Sequence, residues 1–283
     1  MVKILSDSTC DLSKELVERY DIGIIPLHVY LGDKEYLDGV DIVPSRLYEW
    51  SDANGTTPKT SAPSIEDVEE IYKKYIDGAD GLVVFSISSS MSASNSVCKL
   101  AADALDISDK VVVIDSANLS TGIGHLVIEA AEMAAAGKGI HEIETEILRL
   151  RPLVRASFIV DTLVYLHRGG RCSGLAAMLG SVLKLHPRIV VKDGAMSSDR
   201  KYRGTLENVI LTYTNDLEAA LAKAKPDRVF ITHSGCPDEI VEKVRKLLEE
   251  TGHFREVLIT HAGCVVSAHC GPGTLGVLFI DGE

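Results

Sequence analysis

Gly81-Leu82-Val83-Val84-Phe85-Ser86-Ile87-Ser88-Ser89-Ser90-Met91-Ser92-Ala93-Ser94-Asn95-Ser96 is the stretch on which the fold turns. Its first half is a short continuous apolar run, the pattern of a strand buried on both faces. Its second half is a serine-rich turn that enters a helical pattern predicted over 92–105. A buried strand that hands over directly to a helix is the opening of a β-α-β unit. The same order recurs downstream, with an apolar run at 110–115 and a greasy helical stretch at 122–136. Upstream, runs at 2–5 and 22–25 flank a helix that Asp11 or Ser13 can cap. Strands spaced by helices imply a parallel sheet with right-handed crossovers. The reading is an α/β fold with an N-terminal Rossmann-like domain over 1–160.

Segments 27–31 and 35–40, joined through Gly32-Asp33, resemble a small hairpin inserted near 26–43. Pro44 opens a short helix through Trp50, and 52–63 reads as a polar loop. Ser64 and Asp67 then have the spacing of a capping box. The second half differs. Strands at 156–160, 188–192, 228–232 and 256–260 alternate with helices at 162–166, 173–184, 205–224 and 237–251. Two closely spaced strands at 265–269 and 275–280 end the chain. Paired strands suggest a mixed sheet, so 161–283 is expected to be a second α/β domain, with the boundary near Asp161.

The 283 residues fit two domains of ordinary composition, 46% hydrophobic and 25% charged. A net charge of -12 argues against nucleic acid as a partner. Six cysteines without CxxC spacing read as reduced thiols. The N-terminus lacks a leader pattern. The greasiest stretch, interrupted by His125, Glu129 and Glu132, is too short and too polar for membrane insertion. Cytoplasmic localisation is expected.

Seven serines fall within 86–96 at the carboxyl end of a parallel strand, where open α/β sheets bind ligands. Hydroxyls beside the unpaired N–H groups of a helix N-terminus make a neutral anion site. A polar turn with a serine cap accounts for them equally well. The cluster from Thr56 to Ser64 contains Pro58 and Pro63, which stiffen a loop that presents hydroxyls or is simply exposed. Ser61, Ser90 and Ser94 are further candidate anion-binding hydroxyls in these two loops. His167-Arg168-Gly169-Gly170-Arg171-Cys172-Ser173-Gly174 suits a phosphate, a carboxylate-bearing partner or a plain solvated turn. Gly271-Pro272-Gly273-Thr274-Leu275-Gly276 matches GxGxxG but precedes a strand, so it is not read as a dinucleotide site. Ser181-Val182-Leu183-Lys184 has no companion motif, and no GxSxG elbow is present. His261, Cys264, His269 and Cys270, read on an alternating strand, do not complete a zinc site, and no metal is expected.

Taken in order, these segments resemble the DegV family of fatty-acid-binding proteins. The matching pieces are Ser6-Asp7-Ser8-Thr9-Cys10-Asp11-Leu12, Lys59-Thr60-Ser61-Ala62-Pro63 and Ser88-Ser89-Ser90-Met91-Ser92-Ala93-Ser94. Arg168-Gly169-Gly170-Arg171-Cys172-Ser173 and Ser267-Ala268-His269-Cys270-Gly271-Pro272-Gly273 complete the set. The resemblance implies one long-chain fatty acid between two domains, with no catalytic residue and no cofactor. It implies carboxylate contacts at Thr60, Ser92 and His269. It also implies, for some members, transfer of the acid to a separate fatty acid kinase resembling dihydroxyacetone kinases, which forms an acyl phosphate. Arg171 and Arg203 match family arginines at the surface that would meet that partner or the new phosphate. The alternative reading is an acyl hydrolase or transferase using Ser92 or Ser90 with His269. A sugar or nucleotide regulator is a third, disfavoured because the first strand–helix turn lacks glycines. Met91 and Met178 are candidates to touch an alkyl tail or to fill core.

Overall fold

The computed structural model describes residues 1–172 and 185–282. The predicted helix at 173–184, with Met178 and the SxxK tetrapeptide, lies outside them.

A parallel sheet of β1 (Lys3–Asp7), β2 (Gly23–Ile25), β6 (Leu82–Ser86) and β7 (Val111–Asp115), ordered β2-β1-β6-β7, forms the first layer. Every residue of β6 is buried, as its unbroken apolar run requires. The helices α1 (Lys14–Arg19), α3 (Ile65–Ile76), α4 (Ser94–Ala104), α5 (Thr121–Ala135) and α6 (Ile140–Leu150) accompany it. Ser13 caps α1, and the Ser64–Asp67 capping box starts α3. The hairpin strands β3 (His28–Leu31) and β4 (Lys34–Leu37) are followed by α2 (Pro44–Asn54).

The stretch predicted as a loop at 52–63 is partly ordered. Helix α2 runs on to a left-handed Gly55, and β5 (Lys59–Ser61) pairs antiparallel with β3. The hairpin is therefore a three-stranded sheet ordered β4-β3-β5. Three residues between polar turns carry too little pattern to reveal a strand that a distant hairpin recruits.

The second large sheet is mixed, ordered β10-β9-β8-β13-β11-β12. It comprises β8 (Val154–Ile159), β9 (Leu185–Lys192), β10 (Ala195–Arg203), β11 (Arg228–Ser234), β12 (Glu256–His261) and β13 (Thr274–Ile280). Strand β8 lies between β9 and β13, so the chain enters this sheet at Val154. Helices α7 (Val164–Gly169), α8 (Leu206–Asp216), α9 (Glu218–Leu221) and α10 (Asp238–Glu250) belong to this half. The single helix expected over 205–224 is two, broken at Leu217.

The largest correction concerns 265–269. Cys264–Cys270 is a helix, α11, not a strand. Its β-branched pair, Val265 and Val266, favoured a strand on propensity alone. Its first N–H groups are instead taken by buried carboxylates far away in sequence. Asp11 Oδ1 accepts from Gly263 N at 2.8 Å, and Asp38 Oδ1 accepts from Cys264 N at 2.6 Å. Both are N-caps supplied by other elements, which no local window can show.

Helix α5 holds the two large sheets together. Eleven of its fifteen residues are buried, because it packs among both sheets rather than on one. Near its C-terminal half a charged cluster joins the halves. Arg228 donates to Glu129 at 2.7 Å and to Glu132 at 2.5 Å, and Lys225 reaches Glu129 at 2.6 Å. Arg19 meets Glu256 close by, at 2.7 Å. Across the molecule the β9–β10 turn is fastened to the serine loop. Ser88 Oγ donates to the Gly194 carbonyl at 2.7 Å, and Ser90 Oγ donates to the same oxygen.

Candidate functional site

The loops after β6 and β7, strand β5, helix α11 and the inner face of the second sheet enclose a cavity of about 340 Å³. That lies within the roughly 300–1,000 Å³ of small-molecule sites. Its apolar wall includes Leu27, Ile87, Met91, Leu119, Phe158, Met196, Val265 and Leu278.

Thr60, Ser61, Ser92, Arg171 and His269 all line this cavity, although the sequence scatters them over more than two hundred positions. The strand β5 places Thr60 beside α11, and Thr60 Oγ1 lies 2.8 Å from His269 Nε2. Ser92 Oγ sits 2.9 Å from Ser94 Oγ and accepts from Ser94 N at 3.3 Å, so it faces the cavity from the start of α4. Ser94 is buried beneath it, outside the cavity wall. Ser90 is also outside the wall, its hydroxyl given to Gly194. Arg203, at the exposed end of β10, does not reach the cavity.

The His269 ring is held on both sides. Nδ1 is shut off from solvent and has no partner among the described residues. A methyl group built on Gly169 would come within 2.3 Å of it, so α7 packs directly on the ring. Burial pushes the imidazole pKa down to about 4, and the neighbouring Arg171 adds to the shift. The ring is therefore neutral near pH 7. A buried N–H without an acceptor is the rarer and costlier defect, so hydrogen-bond accounting places the proton on Nε2. His269 then donates to Thr60 Oγ1, and the Thr60 O–H is free to donate into the cavity. Arg171 is anchored through Nη1 to the Gly169 carbonyl at 2.6 Å. The site thus offers neutral hydroxyl donors, a nearby guanidinium and an apolar extension. It suits a long apolar molecule with one anionic end.

Three buried carboxylates, Asp7, Asp11 and Asp38, lie behind this arrangement. Burial raises all three pKa values, that of Asp7 to about 6. Asp7 accepts from Ile87 N at 2.8 Å, fixing the start of the serine loop, while Asp11 and Asp38 hold α11. They position the serine loop and α11 without lining the cavity.

Sequence reasoning missed much of the wall, including Ser120, Thr232, Ser234 and Gly276. The last had a signal: a glycine inside a strand marks close backbone approach. The argument against zinc from strand alternation falls with the strand itself. Among the described residues no three His, Cys, Asp or Glu side chains are grouped to hold a metal ion. None of the described helices is long and apolar enough to cross a membrane.

A DegV domain-containing protein of Clostridium acetobutylicum is 33% identical over 282 residues, covering 99% of this chain and 98% of its own. A fatty-acid-binding DegV family protein from Thermus thermophilus superposes with a TM-score of 0.90 at 29% identity, over 99% of both chains. A stearic-acid-binding protein from Eubacterium ventriosum gives a TM-score of 0.84 at 29% identity, over 99% of this chain and 98% of the other. The family model described as "Uncharacterised protein, DegV family" matches residues 1–282, and the chain belongs to that family.

Proposed function

We propose that the protein binds one long-chain fatty acid, its carboxylate at Thr60 and Ser92 and its tail in the cavity between the two large sheets. The observation that carries this reading is the pairing of an apolar cavity with a hydroxyl end built by Thr60, Ser92 and His269. The Thermus and Eubacterium relatives, which are fatty-acid-binding proteins, support it. Each buried methylene contributes about 0.8 kcal/mol. About fourteen of them would contribute roughly 11 kcal/mol before the costs of ordering. A hydrogen bond to the charged head adds roughly 1.5–3 kcal/mol. The tail supplies most of the affinity, and the hydroxyls add a smaller share and fix the orientation.

The head group sits on neutral donors rather than in a buried ion pair. That leaves it accessible to chemistry performed by another protein, and a separate fatty acid kinase is the partner this reading assigns. Arg171 at the cavity edge would meet the partner or a new phosphate. Arg203, which is exposed and away from the cavity, would serve only as a docking contact.

The hydrolase alternative fares worse on geometry. Ser92 bonds to Ser94, whereas His269 Nε2 is engaged with Thr60. No carboxylate meets Nδ1 among the described residues, so a nucleophile, base and orienting acid are not assembled.

Native mass spectrometry of delipidated protein with added octadecanoic acid tests the proposal. One acid per chain is the expected result. Protein that stays empty, or Thr60→Val/Ser92→Ala protein that binds with unchanged affinity, would sink it.

A further inference from the structure

Most hydroxyls in the cavity wall away from Thr60 and Ser92 have acceptors for their protons. Ser120 donates to Asp11 Oδ2 at 2.5 Å, and Thr274 donates to the Cys270 carbonyl at 3.0 Å. Tyr48, Ser234 and Ser267 form a run of hydroxyls that ends on the Ala262 carbonyl. Each proton in that run has an acceptor.

Thr232 is different. It stands between two other threonines, with Thr121 Oγ1 at 2.6 Å and Thr260 Oγ1 at 2.9 Å. Three hydroxyls share two hydrogen bonds, and none of the three has another acceptor among the described residues. One O–H proton is left over, whichever way the bonds run. All three side chains are buried. Stranding the proton on Thr121 or Thr260 leaves a buried donor unmade, since neither lines the cavity. If both donate inward, the spare proton sits on Thr232, which does line it.

The ladder leaves room beside that hydroxyl. Thr232 pairs with Gly276, which pairs in turn with Phe158, so directly opposed positions share the cavity face. Gly276 has no side chain to cover Thr232. A Cβ there would lie 2.9 Å from the Ser157 carbonyl and 3.0 Å from Phe158 Cβ, so the gap cannot be filled without moving the sheet.

We propose that Thr232 is a second polar contact within the cavity, which takes a hydroxyl or keto oxygen carried on the alkyl chain of the ligand. The protein would then prefer oxygenated long-chain acids to plain ones. This inference rests on the fatty-acid reading and specifies the ligand class within it.

Competition binding with octadecanoic acid and its hydroxy and oxo derivatives, substituted at successive mid-chain carbons, tests it. Wild-type protein should bind the isomers whose oxygen reaches Thr232 roughly three- to tenfold more tightly than octadecanoic acid. Thr232→Val should lose that preference while still binding octadecanoic acid, and Thr232→Ser should keep it. Because Thr232→Val removes the acceptor of two buried threonines, its folding is checked by thermal unfolding. If it does not fold, a crystal structure of the wild-type complex decides. The substituent oxygen within hydrogen-bonding distance of Thr232 Oγ1 upholds the proposal, and an oxygen elsewhere overturns it. Equal affinity for every isomer and for octadecanoic acid also overturns it. Failure of octadecanoic acid itself to bind would instead refute the fatty-acid reading.

Discussion

Substituting Gly169 by alanine gives a test in which even the sign is informative. Gly169 closes α7 in an ordinary helical conformation, without the positive φ of the following Gly170. On propensity alone, glycine to alanine inside a helix should stabilise by about 0.5–1 kcal/mol. The new methyl would meet His269 Nδ1 at 2.3 Å, with Cε1 at 3.2 Å and Cγ at 3.3 Å. Forcing a group into a packed site costs about 1–3 kcal/mol. If the ring turns away, the bond to Thr60 is also lost, at about 0.5–1.5 kcal/mol. The expected net effect is a destabilisation of about 1–3 kcal/mol, opposite to the helix expectation. Urea denaturation of the ligand-free protein measures it, alone and in a His269→Ala background. Removing the ring should remove the clash, so there Gly169→Ala should be neutral or stabilising. Nitrogen chemical shifts of His269 should report the Nε2–H form in wild type and a changed environment in the single variant. An identical effect in both backgrounds, or a stabilised single variant, would refute the packing argument.

Three other outcomes are expected. Ser88→Ala combined with Ser90→Ala should cost about 1–3 kcal/mol by leaving the Gly194 carbonyl without its donors, and should speed proteolysis at the β9–β10 turn; unchanged stability and cleavage would remove the fastening. Arg228→Met should cost about 1–3 kcal/mol in urea denaturation, because buried Glu129 keeps only Lys225 and Glu132 turns to solvent; a neutral result would show that Lys225 alone suffices. Burial lowers the pKa of His125 to about 3 and of His233 and His269 to about 4, so each binds fewer protons folded than unfolded. Their stabilisation is complete above pH about 6.5 and is lost as pH falls through the folded values, by at most about 1.4 kcal/mol per group and pH unit. Asp7, raised to about 6, works the other way between about 4 and 6, and Asp11 and Asp38, also raised by burial, act in the same sense. Replacing His233 and His269 by glutamine should therefore lessen the loss of stability on acidification below neutrality relative to wild type, as read from urea midpoints. An equal loss in the variant would contradict the burial of these histidines.

The sequence was most legible where one segment carries its own instructions. The all-buried β6 and the capping box of α3 were apparent because run length and cap residues are local. The greasy stretch at 122–136 is visible as a helix, found at 121–135, but not as one packed among two sheets. Failures came where a partner distant in sequence decides the outcome. Strand β5 exists because β3 accepts it, and α11 is helical with its first N–H groups on Asp11 and Asp38. The same limit governed the site. Thr60, Ser92 and His269 were singled out through a family resemblance, and their common cavity is a property of the folded chain. The serine run divided its labour in a way that composition could not reveal: Ser92 faces the cavity, while Ser88 and Ser90 hold Gly194.

Two elements beside the cavity are anchored very unequally, and this bears on how a long guest enters it. On one side α11 hangs from buried carboxylates through two main-chain bonds. On the other, the β9–β10 turn is moored at the serine loop by two hydroxyls sharing a single carbonyl. Admission of a rod-shaped molecule should follow the cheaper rupture. The turn would swing out as a door leaf while α11, with His269, stays fixed as the jamb, so the hydroxyl end of the cavity would keep its shape through loading and release.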